Sequence, residues 1–100
     1  MKPEVNDTFL YDLNRLSDTS RKLCAALRDL KVVATSAKDR WKCVYNYEPQ
    51  MAAEIAKFKE EAEMALKEAK VSIYTLTGQS LEIDLTELVE QWLNNKNQTK

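Results

Sequence analysis

The stretch FLYDLNRLSDTSRKLCAALRDLKVVATSAKDRWKCV, Phe9 to Val44, decides how this chain folds. Within it an apolar or small residue recurs at Phe9, Leu13, Leu16, Ser20, Leu23, Leu27, Leu30, Ala34, Ala37, Trp41 and Val44. The steps alternate four and three without a slip, which is the seam of a heptad repeat. No glycine or proline interrupts it. The spacing predicts one helix over residues 7–45, roughly 50 Å long at ~1.5 Å per residue. Asn6 or Asp7 can cap its start, because a side-chain oxygen there accepts from an otherwise unpaired first-turn N–H. A helix of that length cannot bury its own stripe, so its partner has to be found elsewhere in the chain or in another molecule.

Downstream, Asn46-Tyr47-Glu48-Pro49 stops the helix. Proline disfavours helical geometry in the residue before it but suits the first turn of a new helix. A second helix over residues 49–70 follows, with its own seam at Met51, Ile55, Phe58, Ala62, Ala65 and Ala69. Folding the two seams antiparallel about Asn46 sets Trp41 against Met51, Ala37 against Ile55 and Ala34 against Phe58. It also sets Leu30 against Ala62, Leu27 against Ala65 and Leu23 against Ala69. Nearly every layer joins a large residue to a small one, which keeps layer volume even and the axes close. The same register brings Arg40 beside Glu54. An equally patterned sequence could zip between chains instead.

That register leaves Phe9, Leu13 and Leu16 uncovered, and Ser20 marks the end of the matched part. Cover is expected from the last third of the chain. Residues 71–77 are rich in β-branched and aromatic side chains, Gly78-Gln79 suits a two-residue type II′ turn, and residues 80–85 alternate polar and apolar. A β-hairpin over residues 71–85 is therefore expected. The competing reading continues the second helix to a Gly78 C-cap and yields an all-α three-helix arrangement. Asp84-Leu85-Thr86-Glu87 resembles a capping box and opens a C-terminal helix over residues 85–94, with a solvated tail at 95–100. The fold class is mainly α, in a single domain: a long antiparallel helical hairpin, a short β-hairpin and a terminal helix.

Composition narrows the function by exclusion. The chain has 100 residues, one glycine, two prolines, no histidine and a net charge of −1. Without histidine the commonest general base and metal ligand is missing. A lone glycine cannot build a phosphate-cradling loop. Cys24 and Cys43 do not have zinc-site spacing. On one continuous helix they lie about 28 Å apart, too far for a disulfide, whose Cα atoms sit roughly 4.4–6.8 Å apart. They read as ordinary thiols of a reducing compartment, with a bridge between two chains as the alternative, and no apolar run is long enough to span a membrane. The expectation is a cytoplasmic protein that is not an enzyme and has no cofactor, no metal and no membrane partner.

Two surfaces stand out as candidates for binding. Arg21, Arg28, Lys31, Lys38 and Lys42 fall in phase beside the seam, on a segment with eight basic residues against five acidic between Asp7 and Lys42. Such a stripe suits an acidic protein surface or a phosphate backbone. No aromatic residues interleave it for base stacking, which disfavours nucleic acid. At the hairpin tip, Trp41, Tyr45 and Tyr47 offer aromatic rings with polar handles, the residue types that anchor interfaces.

The uncovered Phe9, Leu13 and Leu16 are candidates for an oligomer contact, either in a homodimer or in a hetero-complex. The function expected from these features is a non-catalytic protein-interaction module (an adaptor, small chaperone or protein inhibitor) presenting a helix face. One alternative is a nucleic-acid-associated protein working through the basic stripe.

Two amphipathic helices with a tryptophan near their turn, in a chain of this length, also resemble the WXG100 proteins exported by type VII secretion. The resemblance covers the hairpin. Trp41-Lys42-Cys43 lacks the family's glycine, and Tyr74-Thr75-Leu76-Thr77-Gly78 lacks the acidic end of its tyrosine-based export motif. It implies an exported helical-hairpin partner protein as a further alternative.

Overall fold

A computed structural model describes residues 4–94. Among them are four helices and no strand: α1 (Asp7–Asn14), α2 (Asp18–Trp41), α3 (Tyr47–Thr77) and α4 (Leu85–Leu93). The mainly α class expected from the heptad seams is present. Helix α3 alone, 31 residues long, accounts for the long dimension of a molecule measuring 48 × 28 × 20 Å. The expected C-terminal tail at 95–100 lies outside the described residues.

The hairpin of α2 and α3 carries the core. Leu23, Leu27, Leu30, Ala34 and Ala37 of α2 are fully buried, as are Ala62 and Ala69 of α3. Ile55 is buried beside them, and Met51, Phe58 and Ala65 pack against the cluster half-buried. Burial thus falls on the seam residues of both helices. The expected flanking pair is formed too, with Arg40 Nη2 and Nη1 donating to Glu54 Oε1 and Oε2 at 2.9 and 3.0 Å.

Three expectations are corrected. The first concerns the helix expected over residues 7–45, which is two helices. Helix α1 ends at Asn14 and folds back onto α2, burying Leu10 and Leu13 against it and leaving Leu16 42% exposed in the break. Ser17 takes extended geometry and its Oγ accepts from the Ser20 N–H at 3.2 Å, a serine N-cap that restarts the helix. Folding back covers an apolar face that a straight helix would leave in water. Leu13, expected as an oligomer contact, is therefore covered within the chain; Phe9 is half-buried. At its other end α2 stops at Trp41, short of residue 45.

The second correction is the β-hairpin over residues 71–85, which is absent. Helix α3 runs through the whole β-branched stretch to Thr77, beyond the expected end at residue 70. Ile73 continues the buried phase of Leu66 and Ala69, so its burial as a helical residue outweighs the strand preference of its neighbours. Gly78 then ends the helix at φ 74°, with its N–H donating to the Tyr74 carbonyl at 2.8 Å. This is the left-handed C-cap for which glycine is suited. The alternation over residues 80–85 is real, since Leu81 and Leu85 are buried and Ile83 half-buried, but the segment is irregular and pairs with no strand among the described residues.

The third correction follows from these. The cover over the first part of α2 comes from α1 and α4, so the arrangement has four helices where the all-α alternative had three. Leu85, Val89 and Trp92 form the buried stripe of α4, and Asp84 caps it by accepting from the Glu87 N–H at 3.2 Å, as the capping-box spacing anticipates. At the start of the second helix, Pro49 sits within the first turn of α3, where a missing N–H removes no intrahelical bond.

Candidate functional site: the hairpin tip and its basic flank

The tip joining α2 to α3 is held by one carboxylate. Glu54, in the second turn of α3, accepts both hydrogen bonds from Arg40, and its Oε1 also accepts from the Trp41 ring N–H at 2.8 Å. Arg40 is tied further to its own helix, donating from Nε to Ser36 Oγ at 2.9 Å and from Nη2 to the Val33 carbonyl at 3.1 Å. A forked guanidinium on a carboxylate fixes orientation as well as separation. The Arg40 hydrogen bonds, followed by the Trp41 donor, hold the Glu54 carboxyl below its ordinary pKa. The partner that register predicts for Arg40 is thus correct; the second grip, on Trp41, has no signature in the sequence spacing.

Above this clamp the chain turns through residues 42–46. Asn46 is left-handed at φ 55°, the sole non-glycine residue with positive φ among those described. Asparagine tolerates that region better than most side chains. The turn presents Tyr45 at 95% exposure, beside Val44 at 39% and the exposed Cys43. Trp41 and Tyr47 are half-buried. Of the three aromatic residues singled out at the tip, one is therefore a clamp member, one is partly packed and Tyr45 is wholly presented.

The basic stripe divides in the same way. Arg21 is neutralised by an ion pair with Asp18 one turn earlier. Arg28, Lys38 and Lys42 are exposed and Lys31 is half-buried; none of the four forms an ion pair with a carboxylate among the described residues. Lys38 lies in the last turn of α2 and also answers the negative end of that helix. The unpaired part of the stripe runs into the tip, so Lys38, Lys42 and Tyr45 belong to one end of the molecule.

Other places hold less. An open pocket of about 420 Å³ between α3 and the start of α4 is floored by Leu66, Ile83 and Leu85. Of its three carboxylates, two are engaged locally, Glu82 by the Ser80 hydroxyl at 3.1 Å and Asp84 as the α4 cap, and Glu63 is exposed on α3. Cys24 is buried, with its thiol donating to the Leu10 carbonyl at 3.2 Å. Among the described residues no group of three or more Cys, His, Asp or Glu side chains could hold a metal ion. No helix among them is long and apolar enough to cross a membrane. A surface that the sequence reading also misses is a row of exposed apolar side chains on α3, namely Met64, Val71 and Tyr74 at 61–70% exposure. It becomes visible only once residues 71–77 are known to be helical.

No family model, curated protein or solved structure matches this chain.

Proposed function

We propose that this protein is a non-catalytic interaction module whose contact surface is the hairpin tip, with Tyr45 as its anchor and Lys38 and Lys42 as its charged flank. The carrying observation is the combination at the tip: a 95%-exposed tyrosine stands on a turn fixed by three hydrogen bonds to Glu54. Ordering a flexible loop on binding costs affinity, and a pre-fixed loop avoids that cost. Tyrosine brings a large rigid ring and a hydroxyl at little rotamer entropy, which is why it recurs among interface anchors. The chemistry fits a partner protein that offers a socket for the phenol beside an acidic patch for the two lysines. An adaptor, a small chaperone and a protein inhibitor would all work this way.

The unpaired Arg28, Lys38 and Lys42 support a second reading in which the same flank meets a phosphate backbone. The two readings separate by salt and by residue. A phosphate contact weakens steeply with salt through counterion release, and its loss follows the cations. A protein socket follows Tyr45.

The test is capture from extract of the native cell with paired baits, wild type against Tyr45→Ala, Lys38→Glu and Val71→Ala. Proteins retained by wild type and by Val71→Ala but lost with Tyr45→Ala support the tip reading. Truncating an anchor typically costs about 2 kcal/mol or more. Identical retention by Tyr45→Ala contradicts it. Nucleic acid retained by Tyr45→Ala and lost with Lys38→Glu selects the second reading.

A further inference from the structure

We infer that residues 15–17 form a hinge between two packings of the same chain, and that the occupant of the second packing is another copy of this protein. In the described form α1 folds back on its own α2. In the other, α1 and α2 straighten into a single helix and each α1 docks on the α2 of its partner, a domain-swapped dimer.

Three observations carry this beyond the binding reading above. First, the heptad phase runs unbroken through Phe9, Leu13, Leu16, Ser20 and Leu23, with no glycine or proline in the break. Nothing covalent stops the helix from being continuous, and every seam residue stays in phase when it is. Second, the fold-back is symmetric about Ser17. The Leu10 carbonyl meets the Cys24 thiol at 3.2 Å, and these residues stand equally far to either side of Ser17 in sequence. On a straight helix they would be roughly 21 Å apart along the axis. Two straight helices crossing antiparallel at Ser17 regain the same contact from the other chain, by a two-fold axis through the hinge. Third, Leu16 is 42% exposed in the bent form because it lies in the break. In the straightened pair Leu16 lies one residue from that two-fold axis, opposite Asp18 of the other copy and beside its Leu16, so the apolar side chain that the monomer leaves in water falls at the crossing of the two helices.

What holds the bent form is local. Ser17 Oγ accepts from the Ser20 N–H, with the Ser20, Thr19 and Ser72 hydroxyls within 3.0–3.2 Å of it. The Arg15 N–H closes the end of α1 on the Asp12 and Leu13 carbonyls. Short hinges between elements that can join into one are the usual route to swapping.

Two hinge variants of the full chain, followed by sedimentation across micromolar to millimolar concentration, test the proposal. Ser17→Ala removes the cap that interrupts the helix in both protomers, and the association constant is expected to rise roughly tenfold or more. Asp18→Pro acts in the opposite sense. Asp18 is the first residue of α2 and the preceding Ser17 is already extended at φ −163° and ψ 173°. Proline therefore fits the bent form but breaks a continuous helix. This variant is expected to stay monomeric at every concentration, with the helical content and melting of the wild-type monomer. The proposal is overturned if Ser17→Ala remains monomeric throughout, or if Asp18→Pro associates as readily as wild type. The second outcome would mean a side-by-side dimer indifferent to the hinge.

Discussion

Glu54 is the residue on which the tip depends, and its protonation gives a pH-dependent prediction. Its carboxyl is held below the ordinary value of 4.5 by Arg40 and Trp41. The folded state therefore favours the ionised form more than the unfolded chain does. The associated stability is present in full above the unfolded pKa and is lost as pH falls through the lower folded value. Replacing Glu54 by Gln should cost roughly 1 kcal/mol near neutral pH, since the ion pair is partly exposed and one acceptor remains. In denaturant melts the gap between wild type and Glu54→Gln should close as the solution is acidified below about pH 4.5. A gap unchanged between pH 7 and pH 3 would mean that the carboxylate does not carry the clamp.

At the scale of elements, the buried seams and the meeting of Arg40 with Glu54 are legible in the sequence and helix termination is not. Pairing Leu30 with Ala62 and Arg40 with Glu54 follows from the two heptad phases, because layer volume and charge both constrain the match. Ala62→Leu should overpack that layer and cost about 1–3 kcal/mol in a melt; a neutral result would put the register elsewhere. The end of α3 is not legible in the sequence because Val71, Ile73, Tyr74 and Thr75 all favour strands, while the residue that decides, Ile73, carries its information in long-range burial. Its truncation to Ala should cost about 2–5 kcal/mol, whereas the exposed Val71→Ala should change stability by less than about 0.5 kcal/mol. Equal costs at the two positions would contradict the helical phase. The break at Ser17 was hidden for a different reason. A serine N-cap competes with an intact heptad seam at that point, and the seam cannot report that Leu10, which lies off it, gains cover by folding back.

For the whole molecule, the consequence is a hairpin with two unlike ends. The tip is tied down by the Glu54 hydrogen bonds and presents Tyr45. The opposite end is closed by hydroxyls at Ser17, Ser20 and Ser72 and by two short helices, α1 and α4. Of the candidate site, Tyr45 and the flank of Lys38 and Lys42 were legible from residue type and phase. Which cations are free was not, because Arg21 differs from Arg28 only in having Asp18 one turn away. Short helices fixed by few buried side chains open more readily than a central hairpin, so the closed end is where this molecule can rearrange.

The native thiols give the most direct measurement of that arrangement. Cys43 stands exposed at the tip and Cys24 lies beneath α1. In dilute native protein, Cys43 should react with an alkylating reagent at the rate of a free thiol. Cys24 should react at least roughly a hundredfold more slowly, limited by opening of α1. Comparable rates at the two cysteines would show that α1 does not fold back over α2, and would contradict the fold described here.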